Sequence, residues 1–425
     1  MKTQFYIASI REGNGKTIFA LALMRALSRR GLAVQPFKGG ADFGDPLLHA
    51  IATNADSVNL DLWLLSTHQL QHLYNRWGES ADVCIVDGHG GLYDGYSHSQ
   101  GSDASIACCL RMPVVLLVNA RNMASTVAPL IYGFRQFPGG AQIAGVVFNQ
   151  VSSTSHYALL RDACHEAGVE CFGYLPNIDD CKLSTRHVGL TTTVRRQYSS
   201  IIDRISLQIE QSIQIDKLLA CTQQAFPCAY SLPYSSDTTD EEFPTSSGNL
   251  RIALASDPAF NFIWQHRLQQ LRQQGTIVRF SPVYGSDLPP ADVVYLPGGY
   301  PELFARQLAR RHRLKQQLAD FASAGGRIIA EGGGVAFLGH SLTTHVGGTA
   351  YPMCNILPLD FTIADAHLIQ GYRQWNGNRG YEHRYIRLLN PSQSCRIVCN
   401  VKGVPTDSFF ICQDNVMASS AHFMC

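Results

Sequence analysis

Short apolar runs alternate with amphipathic stretches through the first half of the chain. The runs at residues 83–86, 114–118 and 143–148 are continuously apolar rather than alternating, which is typical of strands buried on both faces. Residues 17–28 place alanine and leucine at helical spacing and predict a helix. The predicted strands lie at residues 5–9, 34–37, 83–86, 114–118 and 143–148. Strands that alternate with helices favour an α/β fold with a mostly parallel sheet covered on both faces.

The pattern breaks at residues 222–249, where Ser, Thr, Pro and acidic residues dominate. Such a composition is typical of an interdomain linker. After it, apolar runs at 251–256, 293–296 and 327–330 predict strands of a second α/β unit. We therefore predict a first domain over residues 1–221, a linker over 222–249 and a second domain over 250–425.

Composition and charge narrow the range of partners. The 425 residues fit two or three domains of roughly 100–200 residues each. The formal net charge is only +1, which favours neither nucleic acid nor an anionic membrane as a partner. No run approaches the ~18 apolar residues of a membrane span, and the first residues lack the apolar core of a secretory signal. The 13 cysteines form no CxxC pair, so we expect reduced thiols in a cytoplasmic protein.

The segment IREGNGKT lies between a predicted strand and a predicted helix, which is the setting of a P-loop. Backbone N–H groups and the helix N-terminus offer partial positive charge to phosphates there. Gly13 and Gly15 let the backbone approach a ligand closely. Lys16 is expected to pair with the β- and γ-phosphates of a nucleoside triphosphate, and Thr17 to bind Mg²⁺.

The match to the P-loop pattern is incomplete, because Ile10 stands where the usual pattern has glycine. The alternative interpretation is a glycine turn before a helix, with an exposed lysine. Arg11 precedes Lys16 by five residues, where some P-loop proteins carry a second lysine. Its side chain either contacts phosphate or is solvated.

Polar residues after two other predicted strands are further candidates. Asp87 ends an apolar run, so its carboxylate is expected at the carboxyl edge of the sheet, facing Mg²⁺. Asp94 is a candidate for a second metal or for orienting the substrate. A turn residue is the alternative for both. Asn149 is a candidate for contacting the adenine edge from a loop, with a simple turn asparagine as the alternative.

Several longer motifs resemble those of the cobyrinic acid a,c-diamide synthases, in order and over nearly the whole chain. In the first half, PFKGGADFGDPLLH is similar to PFKxGPDYIDPxxH, NLDLW to NLDPW and VDGHGGLYDG to VEGVMGLFDG. STRHVGL, at residues 184–190, resembles PxRHLGL. In the second half, YLPGGYPELFA resembles the family segment almost letter for letter.

The resemblance implies a P-loop synthetase domain of the dethiobiotin-synthetase type followed by a class I, triad-type glutamine amidotransferase domain. The family uses ATP and Mg²⁺ to turn the a and c carboxylates of a corrinoid precursor into acyl phosphates, which ammonia converts to amides. Relatives amidate sirohydrochlorin-type tetrapyrroles, so the ring stays open. Lys38, Asp42 and Asp45 would lie between nucleotide and substrate: Lys38 at the nucleotide, Asp42 on Mg²⁺, and either carboxylate positioning the acceptor.

One departure from the family concerns the nucleophile of the second domain. The elbow reads AEGGG where the family has AECGG, so Gly332 replaces the cysteine that attacks glutamine. Glycine cannot form a thioester, so glutaminase activity is predicted to be absent. His422 aligns with the family's histidine base or is a bystander, and Gly332→Cys would restore activity only if His422 is well placed. Residues 263–267, IWQHR, replace the family's YYPEN.

Three hypotheses for the function follow. The first is an ATP-dependent tetrapyrrole a,c-diamide synthase that uses free ammonia, or ammonia from a separate glutaminase. The second is a non-catalytic paralogue that binds nucleotide or tetrapyrrole. The third is a synthetase for another carboxylate. A homodimer is kept as one alternative for the oligomeric state.

Overall fold

The computed structural model describes residues 1–178, 192–228, 249–344, 348–363, 367–389 and 395–423. The chain divides into two compact units, Met1–Tyr234 and Ser235–Cys425. The resembling motif at 184–190 and most of the predicted linker lie outside the described residues.

The first unit is built on a parallel sheet with the strand order β3-β2-β4-β1-β5-β6-β7. A short additional strand, β8, pairs antiparallel with β1. The five predicted strands are all present, so the predicted α/β class is confirmed for this unit. The strands are β1 Lys2–Ser9, β2 Val34–Gly39, β3 Val58–Leu60, β4 Val83–Asp87, β5 Val114–Asn119, β6 Ile143–Val151, β7 Glu170–Pro176 and β8 Gln223–Gln224.

Helices cover this sheet. The first helix is buried on almost every face, with Phe19, Leu23 and Leu27 fully inaccessible, and each such side chain stabilises the fold by roughly 1.5–3 kcal/mol. It contacts the second and seventh helices. The helices are α1 Lys16–Arg29, α2 Gly44–Thr53, α3 Thr67–Gly78, α4 Asp103–Cys109, α5 Val127–Gln136, α6 Thr154–Glu166, α7 Thr192–Ser212 and α8 Ile215–Cys221.

Residues 222–228, at the start of the predicted linker, contact the first unit. The carbonyl of Ala225 accepts a hydrogen bond from Gln4 at 2.8 Å, and the backbone N–H of Cys228 donates to Asn75 at 2.8 Å. The described cysteines are free thiols. Among the described helices, none is long and apolar enough to cross a membrane.

The second unit contains a ten-stranded sheet with the order β10-β9-β11-β12-β21-β20-β19-β16-β17-β22. The strands from β10 to β21 in this order are parallel, and the remainder pair antiparallel. The strands of this sheet are β9 Leu250–Ala255, β10 Gly275–Phe280, β11 Val293–Leu296, β12 Arg327–Glu331, β16 Ile369–Trp375, β17 Asn378–Arg384, β19 Arg396–Asn400, β20 Pro405–Gln413, β21 Val416–Ser419 and β22 His422–Phe423.

A smaller sheet with the order β14-β13-β15-β18 completes the second unit. Its strands are β13 Ser341–Thr343, β14 Ala350–Pro352, β15 Asp360–Thr362 and β18 Arg387–Leu388. The helices are α9 Gln265–Gln274, α10 Ala305–Ala309, α11 His312–Ser323 and α12 Val335–Leu338. The three strands predicted here are present as β9, β11 and β12, and the unit is α/β as predicted.

Candidate functional site

The phosphate loop connects the end of β1 to the start of α1. Gly13 and Gly15 have φ angles of 79° and 93°, in the left-handed region that favours glycine. A Cβ at Gly15 would also lie 2.4 Å from Nδ2 of Asn149, so no larger residue fits there. The loop therefore has the strand–turn–helix form that presents backbone N–H groups to an anion.

Lys16, the first residue of α1, is buried rather than exposed. Its Nζ donates to Oγ of Ser9 at 2.9 Å and to the carbonyl of Gly90. Burial lowers the pKa of Lys16 below its ordinary value. The alternative interpretation of an exposed lysine after a glycine turn is therefore wrong.

Lys38, the penultimate residue of β2, is the centre of a buried charge cluster. Its Nζ lies 2.7 Å from Oδ2 of Asp45 and 3.1 Å from Oδ2 of Asp87. It also donates to the carbonyl of Gly88 at 2.8 Å. Because Asp87 ends β4 and Asp45 lies in the first turn of α2, the cluster forms at the carboxyl edge of the sheet.

The ionisation of this cluster follows from its neighbours. Burial works against the charge of Lys38, but the carboxylates of Asp45 and Asp87 outweigh it and raise the pKa of Lys38. Burial also disfavours charge on Asp87, yet the Lys38 ammonium and the contact with His49 lower the pKa of Asp87 to about 2. At Asp45 burial has the larger effect and raises the pKa. Lys38 and Asp87 therefore form an ion pair at neutral pH.

Oxygen atoms suited to a hard cation surround this pair. The Thr17 hydroxyl donates to Oδ2 of Asp45 at 3.3 Å. Oδ1 of Asp87 is buried and has no hydrogen-bond partner among the described residues. Oδ1 of Asp42 instead accepts the backbone N–H of Asp45 at 2.7 Å, so this oxygen is engaged by the start of α2. The hydroxyl and carboxylate oxygens of Thr17, Asp45 and Asp87 fit the ligand preference of Mg²⁺.

Three other candidates lie around the loop. Asp94 is exposed, and its carboxylate lies against Gly91, where an added Cβ would be 2.3 Å from Oδ2. Asn149 lies inside β6 rather than in a loop after it, and its Nδ2 donates to the carbonyl of Asn14 at 2.9 Å. Arg11 is exposed. The structure thus places Asn149 against the phosphate loop itself.

Sequence reasoning missed two side chains of this site. Ser9 holds Lys16 from the end of β1. His49 is fully buried, with Nδ1 2.8 Å from Oγ of Ser57 and Nε2 3.3 Å from Oδ2 of Asp87. His49 ends the PFKGGADFGDPLLH motif, which was a usable signal, whereas a serine at a strand end carries none. Among the described residues, no cluster of three or more His, Cys, Asp or Glu side chains is arranged to hold a metal.

In the second unit, the predicted elbow follows β12. Gly332 has a φ of 51°, and a Cβ there would lie 2.6 Å from Cε1 of His422. A Cβ at Gly298, in the LPGGYPE turn, would lie 2.3 Å from Nε2 of the same ring. The structure therefore brings together the elbow, the glycine turn and the histidine, and the imidazole lies against the space that a side chain at position 332 would need.

Two residues of the segment that replaces YYPEN pack at this elbow. The ring of Trp264 stacks on His266 with centroids 5.5 Å apart and meets His422 edge-on at 5.9 Å. Burial lowers the pKa of His266 to about 3 and that of His422 to about 4. Both imidazoles are therefore neutral at neutral pH. His422 has the protonation state of a base, but position 332 offers no thiol for it to activate.

Comparison with known proteins covers both units. Residues 5–190 match the family of CobQ/CobB/MinD/ParA nucleotide binding domains. Residues 251–425 match the family of CobB/CobQ-like glutamine amidotransferase domains.

Three relatives match most of the chain. The cobyrinate a,c-diamide synthase of Picrophilus torridus is 33% identical over 398 residues, which cover 90% of this chain and 88% of that protein. The hydrogenobyrinate a,c-diamide synthase of Brucella abortus is 35% identical over 373 residues, which cover 87% and 84%. The cobyrinate a,c-diamide synthase of Archaeoglobus fulgidus is 34% identical over 370 residues, which cover 86% and 79%.

Proposed function

Because this chain belongs to the family of cobyrinate and hydrogenobyrinate a,c-diamide synthases, we propose that it amidates the a and c carboxylates of a corrinoid-type tetrapyrrole with ATP. The observation that carries the proposal is the pair of buried lysines, Lys16 and Lys38, beside the carboxylates of Asp45 and Asp87. Two cations held at one sheet edge suit a reaction in which negative charge moves between phosphate and carboxylate oxygens.

In the first step, an oxygen of the substrate carboxylate attacks the γ-phosphorus of ATP. The bond from the γ-phosphorus to the bridging oxygen breaks, ADP leaves, and an acyl phosphate forms. Lys16 and the backbone N–H groups after Gly15 would hold the β- and γ-phosphates and offset their charge. The chain's contribution to this step is positioning and charge neutralisation.

Thr17, Asp45 and Asp87 would hold Mg²⁺. Asp42 would support Asp45, because its carboxylate accepts the backbone N–H of Asp45. The metal supplies charge neutralisation at the phosphates when it is bound. Lys38 would then be free to contact phosphate or the substrate carboxylate. Asp94, exposed beside the glycine loop, remains the candidate for orienting the substrate.

In the second step, the nitrogen of ammonia attacks the acyl carbon, phosphate leaves, and the nitrogen loses a proton to give the amide. Because Gly332 cannot release ammonia from glutamine, we infer that the ammonia is free or comes from a separate glutaminase. The synthetase chemistry itself needs only the unprotonated amine.

The test is ADP release coupled to amide formation with cobyrinic acid, hydrogenobyrinic acid or sirohydrochlorin, in the presence of Mg²⁺. Ammonium and glutamine are compared as nitrogen sources, and Lys16→Ala is the inactive control. Amide formed with ammonium but not with glutamine supports the proposal. Glutamate release by the pure protein would contradict the loss of glutaminase activity.

A second candidate function is a non-catalytic paralogue that binds nucleotide or tetrapyrrole. The glycine at position 332 and the replaced segment at residues 263–267 favour it. Binding of ATP or the ring without turnover on any nitrogen source would select this function. ATP turnover that only an unrelated carboxylate stimulates would select a synthetase of different specificity.

A further inference from the structure

Both lysines of the site are held by one short backbone segment after β4. The carbonyl of Gly88 accepts from Lys38 at 2.8 Å, and the carbonyl of Gly90 accepts from Lys16. The position of residues 88–90 therefore contributes to where both ammonium groups lie. Glycine-rich loops have many accessible conformations, so this segment needs an anchor.

Asp103 provides that anchor. Its Oδ1 accepts the backbone N–H of His89 at 3.0 Å and the hydroxyl of Tyr6 at 2.8 Å. Tyr6 lies on β1 and Asp103 begins α4, so the two hydrogen bonds tie the segment to the central strand and to a helix. Residue 89 lies between Gly88 and Gly90 in the chain, so a hydrogen bond to its N–H restrains the carbonyls on both sides.

The packing around Asp103 leaves no space for a looser arrangement. A Cβ at Gly88 would lie 2.2 Å from Oδ2 of Asp103, and a Cβ at Gly39 would lie 1.9 Å from the Tyr6 hydroxyl. The carboxyl is 3% exposed, and Oδ2 has no hydrogen-bond partner among the described residues. A buried carboxyl with an unpaired oxygen is costly, and proteins retain such groups where they serve a purpose.

Helix capping does not account for this carboxyl. The side chain of Ser102 already caps α4 by accepting the backbone N–H of Ser105 at 3.2 Å. The hydrogen bonds of Asp103 point instead to residue 89 and to β1.

We propose that Asp103 is a positioning residue for the nucleotide, acting through the His89 N–H to hold the two carbonyls that orient Lys16 and Lys38. The inference rests on the proposed function in so far as ATP is the ligand that the lysines serve. Loss of the anchor lets the segment move, so the phosphates lose the contacts that Lys16 would make. At metal sites, removing a residue that hydrogen-bonds to a ligand of the metal, without touching the metal itself, costs about 10–100-fold in affinity or activity.

The experiment compares Asp103→Ala with Asp103→Asn in the full chain, with ammonium as nitrogen source. Asn keeps the Oδ1 acceptor, and Ala removes it. We expect Asp103→Ala to raise the KM for ATP about tenfold, while Asp103→Asn restores most of the wild-type value. The matched control is Asp257→Ala, because Asp257 accepts loop N–H bonds from Ala259 and Val283 in the second unit. This control should lower thermal stability without changing the KM for ATP.

Hydrogen–deuterium exchange of the peptide that contains residue 89 provides a readout independent of turnover. Exchange should be faster in Asp103→Ala and near wild type in Asp103→Asn, even if the wild type amidates nothing and the proposed function fails. An unchanged KM for ATP in an active Asp103→Ala, equal damage by both substitutions, or unchanged exchange would overturn the inference. If Asp103→Ala does not fold, Tyr6→Phe removes only one hydroxyl from the anchor. Unchanged exchange at residue 89 in that variant would overturn the inference as well.

Discussion

At the scale of single residues, the chemistry depends on charges that the fold has removed from water. Lys38 and Asp87 are both buried, and the ion pair between them, together with Asp45 beside Lys38, offsets the loss of their hydration. Breaking a buried pair by removing one partner leaves an uncompensated charge, which costs more than the pair itself contributes. The same arrangement keeps Lys38 protonated until a ligand competes for its carboxylates.

Lys38→Met should lower the free energy of unfolding of the first unit by about 3–5 kcal/mol, because it leaves Asp45 and Asp87 facing each other without a cation. Lys38→Met combined with Asp45→Asn should recover part of the loss, since only one buried carboxylate then remains. Urea unfolding at neutral pH measures both. Additive losses in the double variant would show that the three groups do not form one cluster.

The buried imidazole of His266 should make the second unit sensitive to acid. Its pKa is about 3 in the fold, against 6.5 ordinarily. Between pH 6.5 and 3 the unfolded chain binds a proton at this imidazole and the folded chain does not. The free energy of unfolding therefore keeps its full value above pH 6.5 and decreases as the pH falls toward 3. The slope is about 1.4 kcal/mol per pH unit for each such histidine.

Thermal unfolding of His266→Gln between pH 7 and about 5 tests this. The variant's unfolding temperature should depend less on pH than that of the wild type. His312→Gln, at an exposed position in α11, is the control and should keep the wild-type slope. Parallel curves for all three proteins would exclude His266 as the origin of the acid sensitivity.

At the scale of helices and strands, the sequence was informative where strands are apolar on both faces. The runs that became β1, β4, β5 and β6 could be recognised for that reason. β3 has only three residues, and β7 is interrupted by Gly173, so neither produced a pattern. Strands β16 and β19 mix buried, half-buried and exposed positions without a regular period, so local periodicity does not identify them.

The residues of the candidate site also divide into those with a local sequence signal and those without one. Lys16, Thr17 and Asp87 could be predicted because a P-loop and a strand end are local signals. Asp103 could not, because its link to residue 89 depends on α4 packing beneath the loop. Asn149 was placed in a loop because the apolar run ends one residue earlier, although the backbone pairing continues to Val151.

The elbow after β12 permits a test of whether one residue separates this unit from a glutaminase. Gly332→Cys should lower the free energy of unfolding by about 3 kcal/mol, because it adds strain at a positive φ and displaces His422. Glutamate release should remain absent, since the displaced imidazole no longer lies beside the thiol.

The matched control is Gly325→Cys. Gly325 has a φ of 86° with nothing within 4 Å of an added Cβ, so that variant pays only the backbone strain of about 1 kcal/mol. Chemical denaturation gives both values, and a glutamate assay gives the activity. Equal destabilisation by the two substitutions would show that displacing the His422 ring costs no free energy. Glutamate release by Gly332→Cys would contradict the expected inactivity.

At the scale of the whole molecule, the proposed function pairs an ATP-dependent synthetase unit with an amidotransferase-like unit in which Gly332 stands at the position of the expected nucleophile. The first unit has Lys16, Lys38 and a set of carboxylates in place. The second keeps the fold of its family, with buried side chains at the elbow. This asymmetry makes the nitrogen source the decisive property of the whole protein.

If ammonia is taken from solution, the apparent KM for total ammonium should fall as the pH rises, in inverse proportion to the unprotonated fraction. The KM expressed as NH₃ should stay constant, because only the neutral amine attacks the acyl carbon. Initial rates over a pH series at saturating ATP and ring measure this. A total-ammonium KM that does not change with pH would point instead to capture of ammonium by the protein.

The position of the His422 ring against Gly332 has a historical consequence. The imidazole lies against the space that a side chain at position 332 would need, and Trp264 meets the imidazole edge-on. A thiol introduced at position 332 would therefore need a change in its surroundings as well, and either change alone would bring no benefit. On the proposed function, this coupling would act as a ratchet that keeps the protein dependent on free ammonia or on a separate glutaminase.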